Sequence, residues 1–173
     1  MVVVMKKVSE DYVENAKVAK KNWPGALVFD VTLSGALEKL DPSFPIGKVM
    51  IPGFKNKKAL SFFGMWEGLK IFEKKRDIDE SYFISEKKLG KRRMCKSYGT
   101  VIGIKVGKEV IEIEKAVNDV FVFEYEKIMK ERFGVIIEGI KRESHKKVIV
   151  LLDYKVERYP VSHAELIKKM IES

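Results

Sequence analysis

The stretch Leu60–Phe72, read L-S-F-F-G-M-W-E-G-L-K-I-F, constrains this chain more than any other. Phe62, Met65, Trp66, Leu69 and Phe72 recur at i, i+3, i+4, i+7 and i+10, so a helix places them on one face. An apolar face of that kind has to be buried, and the spacing predicts a central core helix starting near Lys58. Gly64 and Gly68 lie inside it, and each costs roughly 1 kcal/mol relative to alanine. Glycines at such positions let another backbone or a ligand come close. Glu67 and Lys70 share an adjoining face with Phe63. One reading is a solvated ion pair on a core helix. The other is a ligand-facing pair, with Glu67 as general acid or base, Lys70 as anion holder and Trp66 as an aromatic wall.

A chain of 173 residues is long enough to bury a core and is read as one domain, 1–173. The apolar run Met1–Met5 is too short for a signal-peptide core, and no run approaches the length of a membrane span. Cys95 is the one cysteine, which excludes an intrachain disulfide and a cysteine-based zinc site. Its surroundings show no partner pattern for a nucleophile, so it is read as non-catalytic. His145 and His163 are the two histidines, without metal-ligand spacing, so neither a metal nor a cofactor is expected. These features predict a cytoplasmic protein. Glutamine is absent and lysine and glutamate dominate the charged residues, a usage expected of heat-adapted proteins.

The net charge of +9 is concentrated: Lys87–Lys108 carries +8 with no acid, and the rest of the chain carries +1. A local positive field attracts phosphates, nucleotides or a nucleic-acid backbone. Within it, Arg92 and Arg93 are candidates to fork onto phosphate and Tyr98 to stack on a base.

Along the chain, Ser9–Lys21 reads as a helix with Ser9 as cap, stopped by Trp23-Pro24-Gly25. Strands are predicted at Ala26–Leu33, Lys48–Ile51 and Thr100–Val106, with an extended piece at Tyr82–Ile84. Glu86–Lys96 reads as a helix carrying the basic cluster. Ile113–Arg132 is a second long helical pattern, broken at Gly134. Val148–Asp153 is a continuous apolar run, as a buried strand requires. Ser162–Ile171 reads as a last helix, with Ser162 as N-cap and Glu165 three residues on. Asp153 at the end of the buried strand is a second candidate catalytic carboxylate. Ser162 and His163 at the following helix start are candidate ligand-binding residues, each with a structural alternative as cap or hydrogen-bonder. Strands and helices mix without strict alternation, which gives an α+β fold: a small sheet with packed helices.

Five stretches stand in order: Val28-Phe29-Asp30-Val31-Thr32; Pro42-x-Phe44-Pro45 before Ile51-Pro52-Gly53; Gly64-x-Trp66-x-Gly68-Leu69-Lys70-x-Phe72; Gly99-x-Val101-x-Gly103; and Leu151-Leu152-Asp153-Tyr154 to Pro160-x-Ser162-His163-Ala164. Together they resemble an uncharacterised prokaryotic family of unknown function, over about residues 26–173. More distantly, the Pro–aromatic–Pro loop, strand and polar helix are similar to the NADAR (YbiA-like) superfamily of α+β N-glycosidases. That superfamily's helix reads roughly E-x-x-x-Q-A-x-K. The resemblance lays its lysine on Lys70, its small residue on Gly68 and its glutamine on Glu67. Its glutamate falls on Phe63, a departure that leaves Glu67 as the nearest carboxylate. The resemblance implies a phosphorylated nucleotide or ribosyl ligand and hydrolysis of an N-glycosidic bond. The alternative is a non-catalytic nucleic-acid-binding module using residues 87–108. The small-ligand reading expects Glu67, Lys70, Arg92, Arg93, Asp153, Ser162 and His163 around one pocket.

Overall fold

The computed structural model describes residues 1–85 and 98–173. The predicted helix Glu86–Lys96, with Arg92, Arg93, Cys95 and most of the basic segment, lies outside the described residues. In chain order the elements are β1 (Val2–Lys6), α1 (Tyr12–Asn22), β2 (Leu27–Asp30), β3 (Val49–Ile51), β4 (Phe54–Ala59), α2 (Phe62–Gly68) and β5 (Lys70–Phe72). They continue with β6 (Val101–Val106), β7 (Glu109–Glu112), α3 (Ile113–Ala116), a π-helical turn (Val117–Val122), α4 (Phe123–Ser144), β8 (Ile149–Asp153) and α5 (His163–Glu172). The fold is α+β. Its contacts gather into two compact units, Met1–Asp41 with Glu126–Ser173, and Pro42–Tyr125.

The first unit is built on a three-stranded parallel sheet of order β1-β8-β2. All five residues of β8 are buried, which is why its sequence runs apolar without alternation. Successive side chains point to opposite faces. Val150 and Leu152 pack with Ala19 of α1 and with Ala26, flanked by Met5, Trp23 and Val28. Helix α5 packs on β1 and β8 and buries Leu166, Ile167, Met170 and Ile171. The cap of α1 differs from the sequence expectation. Asp11, not Ser9, accepts from the N2 amide, Val13 N, at 2.8 Å. Ser9 is taken up in the preceding turn, where buried Asn15 accepts from Val8 N and donates to Ser9 O and Asp11 O. In the C-terminal half, the break expected at Gly134 is a kink one residue earlier. Phe133 leaves helical geometry (φ −125°, ψ 16°), which kinks the helix, and it then continues to Ser144. Strand β2 is also shorter than Ala26–Leu33, because Val31–Leu33 turn off the sheet edge into the polar cluster described below.

The second unit holds a β3–β4 hairpin and a three-stranded antiparallel sheet β5-β6-β7. The hairpin corrects the expectation that helix begins near Lys58. Gly53 takes φ +77° after Pro52, and the polar run Phe54–Ala59 pairs back on β3. Helix α2 is then short. Its N-cap is Ser61, whose hydroxyl accepts from Gly64 N at 2.9 Å. It ends at Gly68, and Lys70–Phe72 pairs with β6 as a strand. The helical period of Leu60–Phe72 continues past the helix because β5 also buries its apolar residues, Ile71 and Phe72. Residues Glu80–Tyr82 form a 3-10 turn and Phe83 keeps helical backbone (φ −69°, ψ −35°), so the extended piece expected at Tyr82–Ile84 does not start there. Phe62 and Trp66 of α2 meet Phe121 edge-on at centroid distances of 4.9 and 5.2 Å, and Phe62 meets Tyr125 at 5.5 Å. Gly68 faces the ring of Phe83: a Cβ there would lie 2.4 Å from a ring carbon.

Candidate functional site

Polar groups concentrate in two places, one in each unit. The first is the carboxyl edge of the parallel sheet. Parallel pairing puts the ends of β1, β8 and β2 on one side, and open parallel sheets commonly gather ligands there. Lys7, one residue past β1, is 5% exposed. Its ammonium donates to Asp30 Oδ2 at 2.7 Å, Thr32 Oγ1 at 2.7 Å and Ser34 Oγ at 2.8 Å. All three ammonium hydrogens are thereby used. Asp30 Oδ1 accepts from Thr32 N and from the Thr32 hydroxyl. A buried charge pair has to be hydrogen-bonded in this way to be tolerated.

Beside it, Asp153 closes β8. Its Oδ1 accepts from Tyr154 N at 2.7 Å, and its Oδ2 accepts from Ser162 Oγ at 2.5 Å. The Ser162 hydroxyl in turn accepts from Glu165 N at 3.1 Å, the N-cap predicted for α5. His163 is fully buried and donates from Nε2 to Val31 O at 3.0 Å, which fixes a proton on that nitrogen. Its Nδ1 lies 3.4 Å from Asp153 Oδ1. Asp41 Oδ2 accepts from Tyr154 OH at 2.7 Å, and Asp41 Oδ1 accepts from Tyr159 OH. The Tyr154 hydroxyl also accepts from Leu33 N at 3.1 Å. Burial pushes the Tyr154 phenol well above its ordinary value, and the Asp41 carboxylate pushes in the same direction. The Ser162 hydroxyl reaches Asp153 and not His163, so these three residues do not form a nucleophile–base relay.

The second place is the junction of α2 and β5. Glu67 is 1% exposed and its Oε1 accepts from Lys70 Nζ at 2.6 Å. Glu67 is buried and Lys70 half-buried, so the pair is not the solvated surface pair that one reading expected. Trp66 Nε1 is buried without a hydrogen-bond partner among the described residues. Tyr98 sits against Phe72 and under Lys75, whose ammonium donates to its hydroxyl at 3.1 Å and lies 4.7 Å from the ring centre.

The candidates named from sequence therefore divide. Glu67, Trp66, Lys70 and Tyr98 belong to the second unit, and Asp153, Ser162 and His163 to the first. Sequence reasoning missed Lys7, Asp30, Thr32, Asp41 and Tyr159. Asp30 and Thr32 stood inside a quoted motif, but nothing local to Lys7 or Asp41 signals burial. Among the described residues no group of His, Cys, Asp and Glu is arranged to hold a metal ion. Among them, too, no helix is long and apolar enough to cross a membrane.

Fold and polar clusters define an α+β protein with two buried charge networks. The chain belongs to the DUF6939 family, a family of unknown function, whose model matches residues 11–167. No curated protein and no solved structure matches it.

Proposed function

We propose that the protein binds a phosphorylated ribosyl or nucleotide ligand at the α2–β5 junction and hydrolyses its N-glycosidic bond. The observation that carries this reading is the buried Glu67 carboxylate, held by Lys70 at 2.6 Å, with its sequence neighbour Trp66 carrying a buried indole N–H that has no hydrogen-bond partner among the described residues. A buried ion pair seldom adds net stability over an apolar pair of the same volume. A buried unpaired donor costs about 1–3 kcal/mol. Both features are explicable as preparation for a ligand. The more distant similarity to NADAR N-glycosidases supports the same helix.

In this mechanism the C–N bond breaks with its electron pair leaving on the base. The Glu67 carboxylate stabilises oxocarbenium-like charge at the anomeric carbon, takes a proton from the attacking water and returns it through solvent to the departed base. Lys70 holds Glu67 in place and offers its ammonium to a ligand oxygen. Arg92 and Arg93 hold phosphate, and Trp66 walls the base or ribose. Asp153, buried with both oxygens engaged, anchors the start of α5. We place the protein in the cytoplasm, in keeping with its single cysteine and lack of an intrachain disulfide.

Ribose 5-phosphate and nucleoside monophosphates are the first probes, by calorimetric titration and by release of free base on chromatography. Wild-type protein is expected to bind, and Lys70→Ala to bind more weakly. Glu67→Gln is expected to bind and not to release base. Equal behaviour of all three proteins would remove the site. Salt-dependent binding of single-stranded DNA that is unchanged in Glu67→Gln would put the nucleic-acid-binding module, using residues 87–108, in its place.

A further inference from the structure

A third feature is independent of α2. On the open side of β2 lies a pocket of about 210 Å³, walled by Tyr12, Val28, Phe29, Asp30, Ser34 and Gly35. Tyr12 OH donates to Val28 O at 3.0 Å, which pins the phenol ring against the strand edge and fixes one wall. The polar end of the pocket is the turn after β2. Ser34 is exposed there, and its oxygen accepts from the buried Lys7 ammonium at 2.8 Å. That bond draws electron density from the hydroxyl and makes its proton a better donor. The proton rests on Thr32 Oγ1, 3.2 Å away and itself donating to Asp30, a long bond that an anionic oxygen can replace. Asp30 lines the same pocket, yet its charge is directed inward. Its oxygens take Lys7, Thr32 N and the Thr32 hydroxyl. Gly35 also packs over it so closely that a Cβ would lie 2.1 Å from Asp30 O. The N–H groups of Ser34 and Ala36 have no acceptor among the described residues.

We propose that this pocket is a binding site for a small organic oxyanion, with its planar apolar body against Tyr12 and Phe29 and its oxygens on the Ser34 hydroxyl. The physical logic is a relay. Lys7 is too deeply buried to meet a ligand itself, but Ser34 carries its polarisation to the surface. The positive end of the Lys7–Asp30 dipole faces Ser34, so an acceptor oxygen is preferred there to a donor. Carboxylates and phosphate esters share this chemistry.

The probes are benzoate, phenyl phosphate and uncharged benzyl alcohol, titrated into 15N-labelled full-length protein. At least one of the two anions is expected to shift the Ser34, Gly35 and Ala36 amide resonances, with benzyl alcohol about tenfold weaker because it lacks charge-assisted bonds. The tighter of the two anions identifies the source as carboxylate or phosphate ester. Ser34→Ala should weaken the anion about tenfold and leave benzyl alcohol unchanged. Lys70→Ala should leave the anion-induced shifts of the Ser34, Gly35 and Ala36 amides as in wild type, which separates this site from the one on α2. Anion shifts confined to other residues, no shift with either anion, or equal affinity for benzyl alcohol would overturn the proposal. So would loss of the Ser34, Gly35 and Ala36 shifts in Lys70→Ala.

Discussion

Lys7 Nζ lies 2.7 Å from Asp30 Oδ2, with both side chains buried, across the end of the strand that separates them. β1 and β2 are not neighbours, because β8 runs between them. Two strand spacings are about 9–10 Å. The long lysine stem covers that distance and closes the carboxyl edge of the sheet over β8.

Breaking this pair should cost far more than a surface ion pair. Lys7→Met leaves the Asp30 carboxylate buried and uncompensated, and is expected to lower unfolding free energy by about 3–5 kcal/mol. The double change Lys7→Met with Asp30→Leu should recover much of that loss. Urea midpoints of the three proteins test this. A single variant within 1 kcal/mol of wild type, by about the value of an exposed pair, would mean that the charges are solvated.

Alkaline stability should depend on Tyr154. Its phenol is raised above the ordinary value of 10.0 by burial, then by Asp41. The folded state therefore keeps the proton longer than the unfolded chain. Its stabilising contribution is complete below about pH 10 and is lost as pH rises beyond it. Tyr154→Phe is expected to start less stable, having lost bonds to Asp41 and Leu33, and to decline less steeply between pH 10 and 11. Parallel stability–pH curves for the two proteins would contradict this.

Gly68 should not accept a side chain. A Cβ would meet the Phe83 ring at 2.4 Å and Asp79 O at 2.9 Å, and Asp79 N already donates to Gly68 O at 2.8 Å. Gly68→Ala gains helix propensity, yet overpacking of this kind costs about 1–3 kcal/mol. The expected net effect is a lowered denaturant midpoint. An unchanged or raised midpoint would show that the Glu80–Tyr82 turn yields.

The sequence by itself determined what short-range chemistry controls. The apolar run ending at Asp153 had to be a buried strand, and Ser162 had to cap α5, since its hydroxyl needs only the backbone three residues on. Trp23-Pro24-Gly25 ended α1 for the same local reason. The α+β class followed from such elements. Tertiary structure decided the rest. β4 and β7 are polar and weakly patterned, and their extended form depends on pairing with β3 and β6. Leu60–Phe72 kept its apolar period while changing from helix to strand, because both α2 and β5 are buried. At the sites the divide is sharper. Glu67 and Lys70 were legible because three residues separate them, but their burial was not. The partners Lys7 and Asp30 are 23 residues apart in sequence, and Asp41 and Tyr159 are 118 apart. The order β1-β8-β2 brings Lys7 to Asp30, and only the folded first unit brings Tyr159 to Asp41, so no local pattern could carry either signal.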